Sequence, residues 1–269
     1  MTSPIEIETH GPVRLIRLNA PQRRNALTPE MLCRLADAFI AFGADEPARV
    51  AVVTGSGEQA FCAGGDLARS LPLLTGDRAP EDAWDHRLLD DPVVTAASTL
   101  RGIALDKPVI AAVNGACLAA GFELMLGTDV RIASDQAIFG LPEVQRALLP
   151  FAGSMARLPR QVPQAIALRL MLTGEPISAQ EAWRIGLVNE LCPPAEVLPT
   201  AMALAQRIAA NGPVAVRAVK RTVTAASGRP LAEAYRLEDD AKREVMASAD
   251  AREGPRAFIE KRAPRYEGR

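Results

Sequence analysis

Two glutamates stand where carboxylates are unusual. Glu123 lies in NGACLAAGFEL (114–124) among Leu118, Phe122, Leu124 and Met125, and Glu143 follows an apolar run and a proline in FGLPEV (139–144). Glu123 falls one turn into a helix, so it is either a partner of the helix dipole or a functional acid. Glu143 is either an ordinary first-turn glutamate or a second functional acid. Burial penalises the ionised form of a carboxyl and moves its pKa towards neutral proton exchange.

Two glycine- and alanine-rich turns provide a second kind of chemistry. In FCAGGDL (61–67), Gly64-Gly65 lets backbone approach a ligand closely, and Asp66 is expected to open a helix. In NGACLAAGFEL a strand ends at Asn114-Gly115 and small residues lead into a helix starting near Ala119. Two such helix starts are able to aim two backbone amides at one oxygen, the physical basis of an oxyanion hole. Read alone, either turn is equally an ordinary helix start. GSGEQA (55–60) matches a loose dinucleotide fingerprint, but FCAGGDL follows where a helix should continue, so it reads as a tight turn.

Stepping outward, the positioning elements alternate. PIEIET (4–9) and PVRLIRL (12–18) predict a hairpin turning at Gly11-Pro12, and Thr28-Pro29 predicts the capped start of a helix. RVAVVTGSG (49–57), KPVIAAVNG (107–115), DVRIAS (129–134) and AIFG (137–140) read as strands. One helix is expected after Pro80 within residues 67–100, and Ser178-Ala-Gln-Glu181 forms a capping box for another that ends near Gly186. From residue 194 the pattern is helical throughout. The chain therefore reads as α/β, with a core over residues 1–194 and a helical subdomain over 195–269.

Composition limits the alternatives. Of 269 residues, 48% are hydrophobic and 23% charged, enough to bury a sizeable core. Lys+Arg 31 against Asp+Glu 32 and 4% aromatics disfavour a nucleic-acid partner. Cys33, Cys62, Cys117 and Cys192 are too scattered for a zinc site or a disulfide framework and suit a reducing, cytoplasmic setting. His10 and His86, the two histidines, are poorly placed for a catalytic triad or a metal site. The N-terminus lacks a signal-peptide apolar region, and no long apolar run spans a membrane.

FCAGGDL, KPVIAAVNGACLAAGFELMLGTDVRIAS, AIFGLPEVQRALLPFAGS and LTGEPISAQEAWRIGLVNEL together resemble the enoyl-CoA hydratase/isomerase (crotonase) family, from NALTPEML (25–32) to FIEKR (258–262). The resemblance implies a spiral of β-β-α turns with a C-terminal helical oligomerisation subdomain, assembling as a homotrimer or homohexamer. It implies an acyl-CoA thioester substrate and no metal or redox cofactor. The thioester oxygen would be held by the amides of Gly65 and Ala120, with Ala63, Gly64, Asp66, Leu67 and Gly121 around the substrate. Arg24, Asn25, Ala26 and Leu27 match the family's nucleotide-contacting loop. Phe258 and Lys261 would complete that site from a neighbouring subunit, unless Lys261 is simply a solvated residue of a tail helix.

In the family's hydratases two glutamates position one water, and Glu123 and Glu143 occupy both matching positions. The resemblance therefore implies reversible syn-hydration of a trans-2-enoyl-CoA, with double-bond isomerisation, a specialised hydroxyacyl-CoA dehydration or a non-catalytic acyl-CoA-binding role as alternatives. Ala120 stands where the family more often has Gly. PFAGSMARLP (150–159) replaces a commoner double-glycine segment, so Ser154 and Met155 are expected to reshape the acyl pocket.

Overall fold

A computed structural model describes residues 3–269; Met1 and Thr2, part of the N-terminal segment read above, lie outside the described residues. The chain opens with the hairpin β1 (Ile5–His10) and β2 (Val13–Leu18), paired antiparallel from Ile5↔Leu18 to His10↔Val13. Thr28 caps α1 (Pro29–Ala44), its hydroxyl oxygen accepting from the Met31 amide at 3.2 Å.

The next strands come in pairs. β3 (Val50–Gly55) is followed by β4 (Ala60–Cys62). After α2 (Ser70–Thr75), α3 (Ala83–Asp90) and α4 (Pro92–Ser98) come β5 (Val109–Val113), β6 (Ala116–Leu118) and α5 (Ala120–Leu126). β7 (Val130–Ser134) and β8 (Ile138–Gly140) lead into a short 3-10 helix, Pro142–Arg146. In each pair the first strand joins a six-stranded sheet, ordered β1-β2-β3-β5-β7 and ending on β10 (Glu190–Cys192). The second joins a four-stranded sheet, β4-β6-β8, ending on β9 (Ile177–Ser178). Two sheets climbing in step make the expected β-β-α spiral. Its corners need close backbone approach: a Cβ on Gly115 would lie 2.6 Å from the Gln59 carbonyl oxygen. Asn114 hooks one corner to the previous one, accepting from the Gly55 amide at 3.1 Å and donating to the Gly57 carbonyl at 2.7 Å.

Strand periodicity divides the interior. Val53, Ala111 and Val113 face the larger core with Phe39, Phe61, Phe122 and Phe139. Val52, Ile110 and Ala112 face the other way, onto Ala201 and Ala205 of α9 (Val197–Ala209). Helix α9 thus covers the sheet, although it follows residue 194. Helices α6 (Ser154–Gln161) and α7 (Gln164–Thr173) precede β9, and α8 (Ala179–Arg184) follows it. Helices α10 (Pro213–Ala226), α11 (Leu231–Ala247) and α12 (Asp250–Ile259) complete the chain. No helix among the described residues is long and apolar enough to cross a membrane.

Several local expectations need correction. Residues 67–100 hold three helices rather than one, with Asp82 capping α3 and Asp91 capping α4 through their carboxylates. Asp66 does not open a helix. Its carboxylate accepts from the Ala68 and Arg69 amides in a turn, and α2 begins at Ser70. The capping box is half made: Ser178 accepts from the Glu181 amide, but the Glu181 carboxylate pairs with Arg184.

Candidate active site

The two turns singled out in the sequence meet. Gly64 has φ +107°, and a Cβ built on it would lie 2.7 Å from the Ala119 Cβ and 3.6 Å from the Ala120 nitrogen. Behind them Gly121 packs on β4, where any Cβ would come within 2.5 Å of Cys62. Gly121 is buried, so it sets the approach of α5 to the Gly64 loop rather than touching a substrate. Ala119 itself holds φ +49° and ψ −128°, a glycine-like conformation that costs an alanine about 1–3 kcal/mol.

That turn starts α5 at Ala120, whose amide has no carbonyl a turn earlier in the helix to bond. Gly65 forms a bridge with Leu27 through its neighbours: Leu27 N–H donates to the Gly64 carbonyl at 2.8 Å, and Asp66 N–H to the Leu27 carbonyl at 2.9 Å. The Gly65 amide takes no part in that ladder, and Gly65 is exposed.

The same ladder brings residues 24–27 beside this loop, with Ala63 N–H donating to the Arg24 carbonyl at 3.0 Å. Arg24 is exposed and Ala26 half-buried. The side chains of Asn25 and Leu27 are buried, so these two residues offer a ligand their backbone alone. Leu27 belongs to the core. Asn25 is fully buried, accepting from the Ala20 amide at 2.9 Å and donating to the Ser56 and Ala60 carbonyls at 3.0 and 2.8 Å. Asp66 is buried in its turn, whereas Leu67 is exposed. Phe258 is 87% exposed and Lys261 also faces outward, away from any partner within the chain.

Glu123 and Glu143 are brought together, close enough for the charge of Glu123 to raise the pKa of Glu143. Glu123, almost wholly buried on α5, is pushed up by burial. Opposing that push, the Ser154 amide and hydroxyl donate to its Oε1 at 3.0 and 2.9 Å, and Ala152's amide and the Arg157 charge also favour the carboxylate. Glu143, in the 3-10 segment, lacks such support. Burial first, and then the Glu123 charge, push it up to about 7, against a hydrogen bond within its own residue and the Arg146 charge. Its Oε2 is buried and meets no hydrogen-bond partner among the described residues. Burial thus moves both carboxyls towards the neutral acid, against two donors from Ser154 at Glu123 and without such donors at Glu143, which reaches about 7.

Ser154, expected to reshape the acyl pocket, meets the catalytic candidate Glu123 itself. It is fully buried beneath Glu123, while Met155 beside it is half exposed. The sequence reading also missed Arg157, whose guanidinium donates to the Thr99 carbonyl at 2.9 Å and to the Leu100 carbonyl, tying α6 to the end of the 67–100 segment. Gly153-Ser154 is a plausible place for a helix to start, but nothing in it says which carboxylate that start meets. No group of three or more His, Cys, Asp or Glu among the described residues is placed to hold a metal ion.

Paired spiral sheets, two adjoining glycine- and alanine-rich turns and two buried carboxyls make an arrangement able to hold an oxyanion and move protons beside it. The chain belongs to the enoyl-CoA hydratase/isomerase family, whose model matches residues 8–269. It is 38% identical over 263 residues to enoyl-CoA hydratase EchA19 of Mycobacterium tuberculosis, covering 98% of this chain and 96% of the relative. To carnitinyl-CoA dehydratase of Proteus mirabilis it is 37% identical over 277 residues, covering all of both. The crystal structure of an enoyl-CoA hydratase from Bacillus anthracis superposes with a TM-score of 0.89 at 34% identity, covering 99% of this chain and 100% of that one.

Proposed function

We propose that this chain is a hydro-lyase that adds water reversibly and syn across the double bond of a trans-2-enoyl-CoA, giving a 3-hydroxyacyl-CoA in fatty-acid or related acyl-CoA metabolism. The observation that carries this reading is the unequal pair, an anchored Glu123 beside a Glu143 whose Oε2 meets no hydrogen-bond partner among the described residues. Hydration needs a base for water and an acid for C2. Glu123 takes a proton from water as its oxygen bonds to C3, and Glu143 delivers a proton to C2. The thioester oxygen gathers charge in between and is held by the Gly65 and Ala120 amides, each contributing about 3–4 kcal/mol to lowering the barrier. Residues 63–67 frame the thioester.

The relative named carnitinyl-CoA dehydratase, matched over its full length, favours one second reading, dehydration of a specialised hydroxyacyl-CoA on the same residues. Incubating the protein with straight, branched and aryl enoyl-CoAs and with hydroxyacyl-CoAs, and weighing the products, tests both. A mass gain of one water from an enoyl-CoA supports hydration. An unchanged mass with a moved double bond supports an isomerase.

The reaction as proposed needs no metal or redox cofactor, so prior dialysis against EDTA leaves turnover intact. The carrier lies along Arg24 and Ala26 and the backbone of residues 24–27, with Phe258 and Lys261 added by a neighbouring copy. Support comes from α10–α12, where Val219, Val223, Leu231, Tyr235, Met246, Phe258 and Ile259 are all more than half exposed, as an assembly face would be. A homotrimer or homohexamer follows, and light scattering at micromolar concentration checks it. With four free cysteines, a reducing cytoplasm is the fitting location.

A further inference from the structure

Among the described residues, Ser154 is the one side chain whose hydroxyl donates to the proposed base. It is fully buried at the first residue of α6, and both of its donors, amide and hydroxyl, converge on the same oxygen of Glu123. Gly153 before it supplies no side-chain cap, so the Glu123 carboxylate, arriving from another element, occupies the anion-binding end of that helix. We propose that Ser154 is a positioning residue, whose hydroxyl and amide both donate to Oε1 of Glu123, favouring its carboxylate form and fixing which oxygen is left to work. The inference rests on the hydratase reading for its catalytic consequence, but not for the state of Glu123.

The surroundings of Glu123 leave few other causes. From α6 comes Arg157, which donates to the Glu123 carbonyl at 3.4 Å and whose charge also favours the carboxylate. From the 3-10 segment comes Glu143, a like charge when ionised. Strands β4 and β6 present Cys62 and Cys117, which burial holds as neutral thiols. Arg131 on β7 spends its guanidinium on carbonyls at the far end of α5, those of Met125, Leu126 and Thr128, and on that of Leu187. Arg157 is already engaged with the Thr99 and Leu100 carbonyls, so the Ser154 hydroxyl is the donor that distinguishes this carboxylate from its neighbour. A hydrogen bond to a charged acceptor is about twice as strong as one between neutral groups, so losing it shifts the balance towards the protonated acid.

Ser154→Ala and Ser154→Gly each delete the hydroxyl and keep the amide. Both variants, checked for wild-type far-UV circular dichroism, are assayed for kcat/KM against pH with the trans-2-enoyl-CoA that the wild type hydrates fastest. The acid limb moves up by about one pH unit, the equivalent of a tenfold change in the protonation equilibrium. In parallel, glutamate labelled with 13C at the side-chain carboxyl is titrated by NMR without substrate, the Glu123 signal being assigned by its loss in Glu123→Gln. That signal titrates at higher pH in both variants. An acid limb and a Glu123 titration that both stay at their wild-type positions overturn the proposal. If the wild type hydrates no enoyl-CoA but the Glu123 titration still moves, the hydratase reading fails while the role of Ser154 in favouring the Glu123 carboxylate stands.

Discussion

Gly64 and Ala119 touch across two turns of the spiral: a Cβ on Gly64 would fall 2.7 Å from the Ala119 methyl carbon. This contact sets the spacing of the Gly65 and Ala120 amides, because each donor is the next residue along its own loop. Gly64→Ala combines that clash with a φ of +107° that L side chains rarely adopt. We expect kcat to fall about 100- to 1000-fold, the effect of losing one oxyanion donor, together with a lower melting temperature. Turnover within a few-fold of wild type would separate this contact from catalysis.

Glu143 links the site to stability. Its carboxyl is held near 7 in the folded protein against an ordinary 4.5, so the folded state keeps a proton that the unfolded chain releases. The stability this contributes is complete below pH 4.5 and is lost as pH rises through 7. Glu143→Gln does not titrate. Its melting temperature relative to wild type therefore rises between pH 4.5 and about 7 and is constant above that. A difference independent of pH would show that Glu143 is not held protonated.

Asn25 belongs to the family's carrier-binding stretch by position and to the core by contact. Replacing it with Ala strands the buried Ala20 amide and removes one donor each from the Ser56 and Ala60 carbonyls, the latter keeping Asn114 at 3.2 Å. Urea denaturation should show a loss of about 2–4 kcal/mol, the scale of a buried amide left unpaired and further hydrogen bonds lost. The KM of the folded protein should stay unchanged. A raised KM without loss of stability would restore Asn25 to the binding surface.

These residues show where a sequence speaks and where it is silent. Strand alternation and the Thr28 cap were legible because they depend on local physics, and β1, β2, β3, β5 and α1 lie where expected. Strands β4 and β6 were not, since Ala60–Cys62 and Ala116–Leu118 carry only three residues each and are strands through their sheet partners alone. Glu123 and Glu143 were recognisable as candidates from their apolar settings. Their different surroundings were not, because the donors on Glu123 come from Ser154, 31 residues further along the sequence. The structural role of the Asn25 side chain was not legible either: its partners at residues 56 and 60 are joined to it only by the fold.

The central claim is that two carboxylates act as one unit on water and substrate, and the direct measurement is hydratase kcat in Glu123→Gln, Glu143→Gln and the double variant. Gln is nearly isosteric and its side-chain oxygen still accepts from Ser154, so folding should persist. Each single variant should lose at least ~100-fold, the scale of lost acid–base catalysis. The double variant should be hardly worse than either, because groups acting together are not additive. Near-full turnover in Glu123→Gln with a dead Glu143→Gln would contradict the account and point to a reaction run by a single carboxylate.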